Sequence, residues 1–189
     1  MKKIFLVIMV CTVLCGYQIQ TKERVLVFTK TVRYHHESIL EGVKAIQKMG
    51  KENDFGVDTT TMSNAFSEEN LSKYDAVIFL STSGNLLDSV QKLSFQKYIR
   101  SGGGFVGIHS ASASEKEWPW FGDLVGAVFT NHPDPQIGNV IVFDKNDPST
   151  KNLPSPWIRK DEWYNFKNIR LNVHILLGVN YILYTNSNY

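Results

Sequence analysis

The feature that most constrains this fold is an alternation of apolar runs and helical patterns in the first half of the chain. Runs rich in β-branched and apolar residues occur at 24–29, 56–62, 74–80 and 105–108. Segments with helical character separate them, at 37–50, 67–71 and 89–100. Strands that alternate with helices are typical of a mainly parallel sheet with helices on both faces. The pattern therefore predicts an α/β protein with three layers.

The helical segments carry the expected periodicity and end signals. Apolar residues recur at intervals of three or four along the first and third helices, and these positions are predicted to be mainly buried: Ile39, Val43, Ile46 and Met49, then Val90, Leu93, Tyr98 and Ile99. Gly50 can end the first helix, because glycine is common immediately after a helix. Ser67 is suited to cap the short second helix.

The fourth strand lies in the stretch at 102–112, which also contains the first candidate site. Gly102 opens a run of three glycines that can stop a helix and turn the chain. The apolar run at 105–108 then predicts a strand buried on both faces. His109 and Ser110 follow where that strand should end, which is where open α/β sheets bind ligands.

A flavodoxin-like strand order would bring three loops together at one edge of the sheet. In that order the third strand lies beside the first, and the fourth lies beside the third. The loops at 30–37, 81–85 and 109–114 would then converge. The polar side chains predicted at this edge are His35, His36, Ser83, Asn85, His109 and Ser110.

The second half of the chain adds a strand at 136–144 and further candidates near it. His132 precedes a proline, which holds its backbone extended. Glu162 lies in a segment that sets two carboxylates beside three aromatic residues. Glu162 can serve as an acid, a base or a metal ligand, or it can simply pair with Arg159 or Lys160. Trp163 can stack on a sugar or cover the edge of the sheet.

Composition and the N-terminus limit the classes of function. The formal net charge of the 189-residue chain is +2, which gives no reason to expect nucleic acid as a partner. Residues 1–20 contain two lysines and a short apolar run, which predicts a signal peptide or a lipoprotein anchor and no further membrane span. We therefore expect the protein to be exported to the periplasm or the cell exterior, or to be lipid-anchored at the membrane surface. Cys11 and Cys15 are the only cysteines, so the mature domain has no thiol nucleophile.

With these residues in view, the chain resembles the ThuA-like (trehalose utilisation) family of the class I glutamine amidotransferase-like superfamily. The resemblance covers about 24–177 and rests on several short stretches, at 25–28, 36–39, 102–111, 117–121, 124–127, 132–133, 147–150 and 161–166. It implies a flavodoxin-like sandwich and a role in the use of trehalose or related glycosides. We expect a ThuA-like domain at 21–178 that is incomplete at its C-terminus, followed by an atypical tail at 179–189.

One departure from the superfamily bears on chemistry. In true amidotransferases the turn after this strand carries a nucleophilic cysteine, whereas here His109 stands at that place. Thiol-based amidotransfer is therefore not expected. Ser110 lacks the second glycine of a serine-hydrolase elbow, so a helix-capping role fits it better than a nucleophilic one.

These observations define a candidate site and three candidate functions. His109, Glu162 and His132 are predicted to be catalytic; His36, Ser83, Asn85, Ser110 and Trp163 are predicted to bind substrate. Two side-chain types among them, imidazole and carboxylate, also suit a divalent metal such as zinc, which would be held by His36, His109, His132 and Glu162. The cofactor stays open, because these residues lack the spacing of a known metal motif. The chain is expected to be an exported protein that acts on a small carbohydrate. The reaction stays open, with a hydrolase or a related sugar-modifying enzyme as the candidate; the alternatives are a non-catalytic sugar-binding module and an inactive truncated fragment.

Overall fold

The computed structural model describes residues 22–180, and the predicted leader at 1–20 lies outside this range. The strands are β1 (Arg24–Phe28), β2 (Gly56–Thr60), β3 (Ala76–Leu80), β4 (Gly104–Ile108), β5 (Val128–Asn131), β6 (Gln136–Val142), β7 (Trp157–Asp161), β8 (Asn165–Lys167) and β9 (Leu177–Asn180). The α-helices are α1 (Ile39–Glu52), α2 (Glu68–Leu71), α3 (Ser89–Arg100) and α4 (Pro119–Val125).

The first four strands form a parallel sheet in the order β2-β1-β3-β4. Val27 of β1 lies between Thr59 of β2 and Ile78 of β3. Phe79 of β3 in turn pairs with Gly107 of β4. This order confirms the flavodoxin-like α/β fold predicted from the sequence, and it places the carboxyl ends of β1, β3 and β4 at one edge.

Helices cover the sheet on both faces and produce two apolar clusters. The larger cluster is rich in aromatic rings and joins one face of the sheet to α2, α3 and α4 through Leu71, Phe95 and Phe121, all of them buried. The smaller cluster joins the opposite face to α1 through Ile46. These two clusters give the fold its three layers.

The prediction that β4 is buried on both faces is wrong. Phe105 packs against the aromatic cluster, but Val106 points the other way and is 46% exposed. Among the described strands β4 lies at the edge of the sheet, and α1 packs over β2 and β3 instead. An apolar strand sequence does not reveal whether a helix covers its second face.

The helices lie where the sequence predicts them, but only some of the residues predicted to be buried on them are buried. Ser67 caps α2 by accepting a hydrogen bond from the amide of Asn70 at 3.2 Å. On α3, however, Val90 and Leu93 are exposed, because Phe95 points into the aromatic cluster and a helix turns about 100° per residue. The first helix continues two residues past Gly50.

The second half of the chain forms antiparallel structure beside the sheet. Strand β5 pairs with β8, and β6 lies between β7 and β9. Asn180 of β9 pairs with Asn139, so regular structure continues past the boundary predicted at residue 178. None of the helices within 22–180 is long and apolar enough to cross a membrane.

Candidate functional site

The loops that follow β1, β3 and β4 meet at the carboxyl edge of the sheet, as the strand order predicts. Thr31 forms an isolated parallel bridge with Ser83, and Gly84 forms another with Ser114. The amide of Val32 also donates to the carbonyl of Ser83 at 2.9 Å. These backbone contacts hold the three loops together independently of their side chains.

His109 occupies a strained backbone turn at this edge. It begins a short 3-10 segment directly after β4, and its φ of 55° lies in the left-handed region. A non-glycine residue in that region costs free energy, and such residues are concentrated at functional sites. The turn lifts the imidazole off the end of the strand and towards the loops from β1 and β7.

Three polar side chains converge on the Nε2 atom of His109. The Nε2 atom of His36 lies 2.8 Å away, and the hydroxyl of Tyr164 lies 3.2 Å away. The Oε2 atom of Glu162 is 3.4 Å away. The turn after β4 and the loop after β1 thus deliver one atom each to this point, and the β7–β8 connection delivers two.

Glu162 links this group to a second histidine. Its Oε2 atom lies 3.7 Å from the Nε2 atom of His132, and the Nδ1 atom of His132 lies 2.8 Å from the carbonyl oxygen of Pro133. The Oε2 atom is buried, and within the described residues it has no hydrogen-bond partner. Arg159 pairs with Asp161 at 2.6 Å instead, so the alternative of a Glu162–Arg159 ion pair is not realised.

A pocket of about 540 Å³ opens beside these side chains, within the usual size range of small-molecule sites. Its lining combines the polar group with an aromatic wall and two cationic side chains: Arg33, Tyr34, His36, Ser83, Ser110, Ala113, Lys116, Phe129, His132, Glu162 and Tyr164. The Tyr164 ring lies 4.4 Å from Phe129 and stacks 5.4 Å from His132.

Burial and neighbouring charges shift the pKa values of two groups in the pocket. Burial, together with the adjacent His109, lowers the pKa of His36 and favours the neutral imidazole. Burial also raises the pKa of Tyr164, and the Glu162 carboxylate adds to that shift. His36 therefore retains a ring-nitrogen lone pair, and Tyr164 keeps its proton.

The structure brings together most of the predicted site residues. Ser83 and Ser110 line the pocket, and Ser110 Oγ lies 3.5 Å from His36 Nδ1. Asn85 is exposed and does not line it. His35 is exposed, with its Nδ1 atom 3.1 Å from Thr31 Oγ1.

Trp163 does not lie beside the histidines, contrary to its predicted role in binding substrate. It is buried, its indole N–H donates to the carbonyl of Gln136 at 2.8 Å, and its ring packs on Gly138. These contacts give Trp163 a packing role beside β6. His174 is exposed and lies 3.2 Å from Asp144.

Three residues near the site carry no signal in the sequence. Phe129 supplies much of the aromatic wall, and Lys116 lies 5.0 Å above its ring. Glu115 is buried below the pocket and bonds the backbone at Leu86. Glu115 opens the charged run Glu115-Lys116-Glu117, and such a run is typical of an exposed loop, so only the tertiary structure identifies the buried acid.

A subset of the candidate metal ligands is close enough to share one ion. Ring nitrogens of His36 and His109 and a carboxylate oxygen of Glu162 all lie within 4.8 Å of one another. His132 reaches Glu162 but does not belong to this group of three. Two imidazoles and a carboxylate are a donor set that zinc accepts.

The fold and the site together define a class: a flavodoxin-like α/β protein with a histidine–carboxylate pocket at the carboxyl edge of its parallel sheet. The ThuA family model, described as trehalose utilisation, matches residues 24–188. The chain belongs to this family. No curated protein matches the chain.

Two solved structures resemble this chain. A protein of Bacteroides uniformis described as ThuA-like shares 28% identity and a TM-score of 0.72, over 87% of this chain and 71% of that one. A second ThuA-like protein, from Parabacteroides merdae, shares 20% identity and a TM-score of 0.68, over 84% of this chain and 68% of that one. The second similarity supports the fold alone.

Proposed function

We propose that this protein is a carbohydrate-active enzyme that acts on trehalose or a related glycoside in the pocket at the carboxyl edge of the sheet. The observation that carries the proposal is the position of Glu162 between two imidazoles, 3.4 Å from His109 and 3.7 Å from His132. Membership of the trehalose utilisation family supports a sugar as the substrate class.

The arrangement suits general acid–base chemistry on a sugar hydroxyl or glycosidic oxygen. A carboxylate between two imidazoles can orient both rings, and an imidazole can give or accept a proton during the reaction. The Nδ1 contact of His132 with the Pro133 carbonyl favours a proton on Nδ1, so Nε2 faces Glu162 with its lone pair in the neutral form. His132 is thus placed to receive a proton at Nε2.

The aromatic wall supports a carbohydrate as the ligand. Tyr34, Phe129 and Tyr164 line one pocket with several polar groups, and sugars present both apolar ring faces and hydroxyls. Ser83, Ser110 and the histidines supply hydrogen-bonding partners for those hydroxyls. Thiol-based amidotransfer has no support here, because residues 22–180 contain no cysteine and His109 occupies the turn after β4.

Turnover of candidate sugars by the purified protein tests the proposal. The panel contains trehalose, other glucosides of either anomeric linkage and oxidised disaccharides, with products followed by chromatography and NMR. We expect one class to be converted and His132→Ala to reduce turnover by about 10²–10⁴-fold. His174→Ala is the matched control, since His174 is exposed and outside the pocket.

Two results would contradict the enzyme assignment. Failure of every sugar in the panel to bind or react would remove the carbohydrate from the proposal. Binding by calorimetry with no product after long incubation would instead favour a sugar-binding module without catalysis.

We also propose that the protein is exported, on the basis of the basic and apolar leader at residues 1–20. Expression in a Gram-negative host followed by fractionation tests this. Full-length protein retained in the cytoplasm would contradict it.

A further inference from the structure

We propose that His36, His109 and Glu162 form a binding site for one divalent metal ion of the zinc class. The three residues come from the loop before α1, the turn after β4 and the connection between β7 and β8. Sequence spacing does not reveal the site, because 73 positions separate the two histidines.

The three donor atoms lie within 4.8 Å of one another, which is close to the spacing around a small tetrahedral ion. Ligand atoms about 2.1 Å from zinc lie about 3.4 Å from one another in a tetrahedron. The Nε2 atom of His109 and the Oε2 atom of Glu162 are separated by 3.4 Å. The two imidazole Nε2 atoms are 2.8 Å apart and need to separate by only about half an ångström to bind the same ion.

Hydrogen bonding alone does not satisfy this cluster. A bond between the two Nε2 atoms uses one imidazole proton and occupies the lone pair of the other ring. The buried Oε2 atom of Glu162 has no hydrogen bond of good geometry among the described residues; the Tyr164 hydroxyl is a donor near this carboxylate, which adds to the effect of burial in raising the pKa of that hydroxyl. Such an atom is costly unless a partner is present, and a cation at the centre of the three would supply one.

Neighbouring side chains support the geometry that an ion requires. Ser110 Oγ lies 3.5 Å from Nδ1 of His36, on the side of the ring opposite the proposed ion. Metal-binding histidines commonly have a polar partner at the second nitrogen, and that partner fixes the ring orientation. The Tyr164 hydroxyl lies 3.2 Å from His109 Nε2 and borders the pocket, where a fourth ligand from solvent or substrate would enter.

The metal site itself does not depend on the proposed function. Only the part that the ion plays in turnover rests on it. With His109 and Glu162 engaged as ligands, His132 is the imidazole still available to move a proton. Bound zinc polarises oxygen ligands and lowers the pKa of a coordinated water, which suits the processing of a sugar.

Metal titration of the full chain tests the site directly. The protein is stripped with a chelator and titrated with Zn²⁺ by calorimetry, and with Co²⁺ by visible absorption, which reports the ligand geometry. We expect one equivalent to bind, and His36→Ala and Glu162→Gln each to weaken binding by at least about 100-fold. His35→Ala and Glu37→Gln are the matched controls, because both residues are exposed neighbours that do not line this pocket.

The outcomes separate this inference from the proposed function. Absence of stoichiometric Zn²⁺ binding to the wild type, or unchanged affinity in a folded His36→Ala or Glu162→Gln variant, overturns the metal site. Circular dichroism of the metal-free variants shows which are folded, and either one alone decides the question. A wild type that binds Zn²⁺ but converts no sugar contradicts the enzyme proposal and leaves the metal site intact.

Discussion

Glu115 holds the backbone of Leu86 from across the sheet edge. Its Oε1 atom accepts hydrogen bonds from two successive backbone amides, that of Leu86 at 2.6 Å and that of Leu87 at 2.8 Å. The other carboxylate oxygen pairs with Lys92 of α3 at 2.6 Å. The Glu115 side chain is fully buried. One carboxylate thus joins the loop after β4 to the loop after β3, and both loops contribute to the pocket.

Replacing Glu115 is expected to destabilise the fold strongly. Glu115→Ala leaves two buried amides and the Lys92 ammonium without their partner, which should cost about 3–5 kcal/mol. Glu115→Gln retains a carbonyl acceptor and should cost less, about 1–3 kcal/mol. Urea unfolding measures both, with Glu117→Ala as an exposed control that should change stability by less than about 0.5 kcal/mol. Equal stability of Glu115→Ala and Glu117→Ala would refute the bridging role.

The Tyr98 ring lies directly against the backbone of Gly103 and leaves little room for a side chain at that position. A Cβ atom at Gly103 would stand 2.3 Å from Cζ of Tyr98, far inside contact distance. We expect Gly103→Ala to lower the free energy of unfolding by about 1–3 kcal/mol through overpacking. A double-mutant cycle with Tyr98→Ala checks the cause, since the penalty should shrink once the ring is removed. An unchanged penalty in that background would place the strain elsewhere.

Tyr98 should also make stability depend on alkaline pH. Burial, with the nearby Asp75 carboxylate, raises the pKa of Tyr98 to about 12. The folded pKa exceeds the unfolded value of about 10, so this contribution is complete below pH 10 and declines as the pH rises towards 12. Unfolding free energies of wild type and Tyr98→Phe, compared between pH 8 and 11, should diverge only above pH 10. Parallel curves over the whole range would contradict the shift.

Trp163 should matter for stability and not for sugar binding. Trp163→Phe removes the N–H bond to the Gln136 carbonyl but keeps an aromatic ring over Gly138. The expected loss is about 1–2 kcal/mol of stability, with the affinity for the sugar identified by turnover unchanged within about twofold. Calorimetry of the folded variant provides the measurement. Weakened sugar binding at unchanged stability would restore the role predicted from the sequence.

The order and type of the first seven elements could be predicted from sequence because each depends on local patterns. The apolar runs of β1 and β3 and the periodicity of α1 are visible without knowledge of the partners. The parallel order then follows from the helical crossovers, and it places His36 and His109 at the same edge. This part of the site was therefore predictable from topology.

The other wall of the pocket was not predictable in the same way. Glu162 was identified by its neighbours, but nothing local distinguishes a residue that faces His109 from one that pairs with Arg159. Trp163 and Tyr164 are adjacent aromatics, yet one is buried over Gly138 and the other borders the pocket. Alternate residues of an extended segment point to opposite sides, and only long-range pairing decides which side meets the pocket.

The sequence by itself determined that the chain alternates strands and helices, that a histidine stands in the turn after β4, and that residues 22–180 contain no thiol. The tertiary structure alone decided that His36, His109 and Glu162 converge within a few ångströms, that Val106 is exposed and that Glu115 is buried. Local propensities act between near neighbours in the chain, whereas burial and convergence depend on contacts between segments that are tens of residues apart.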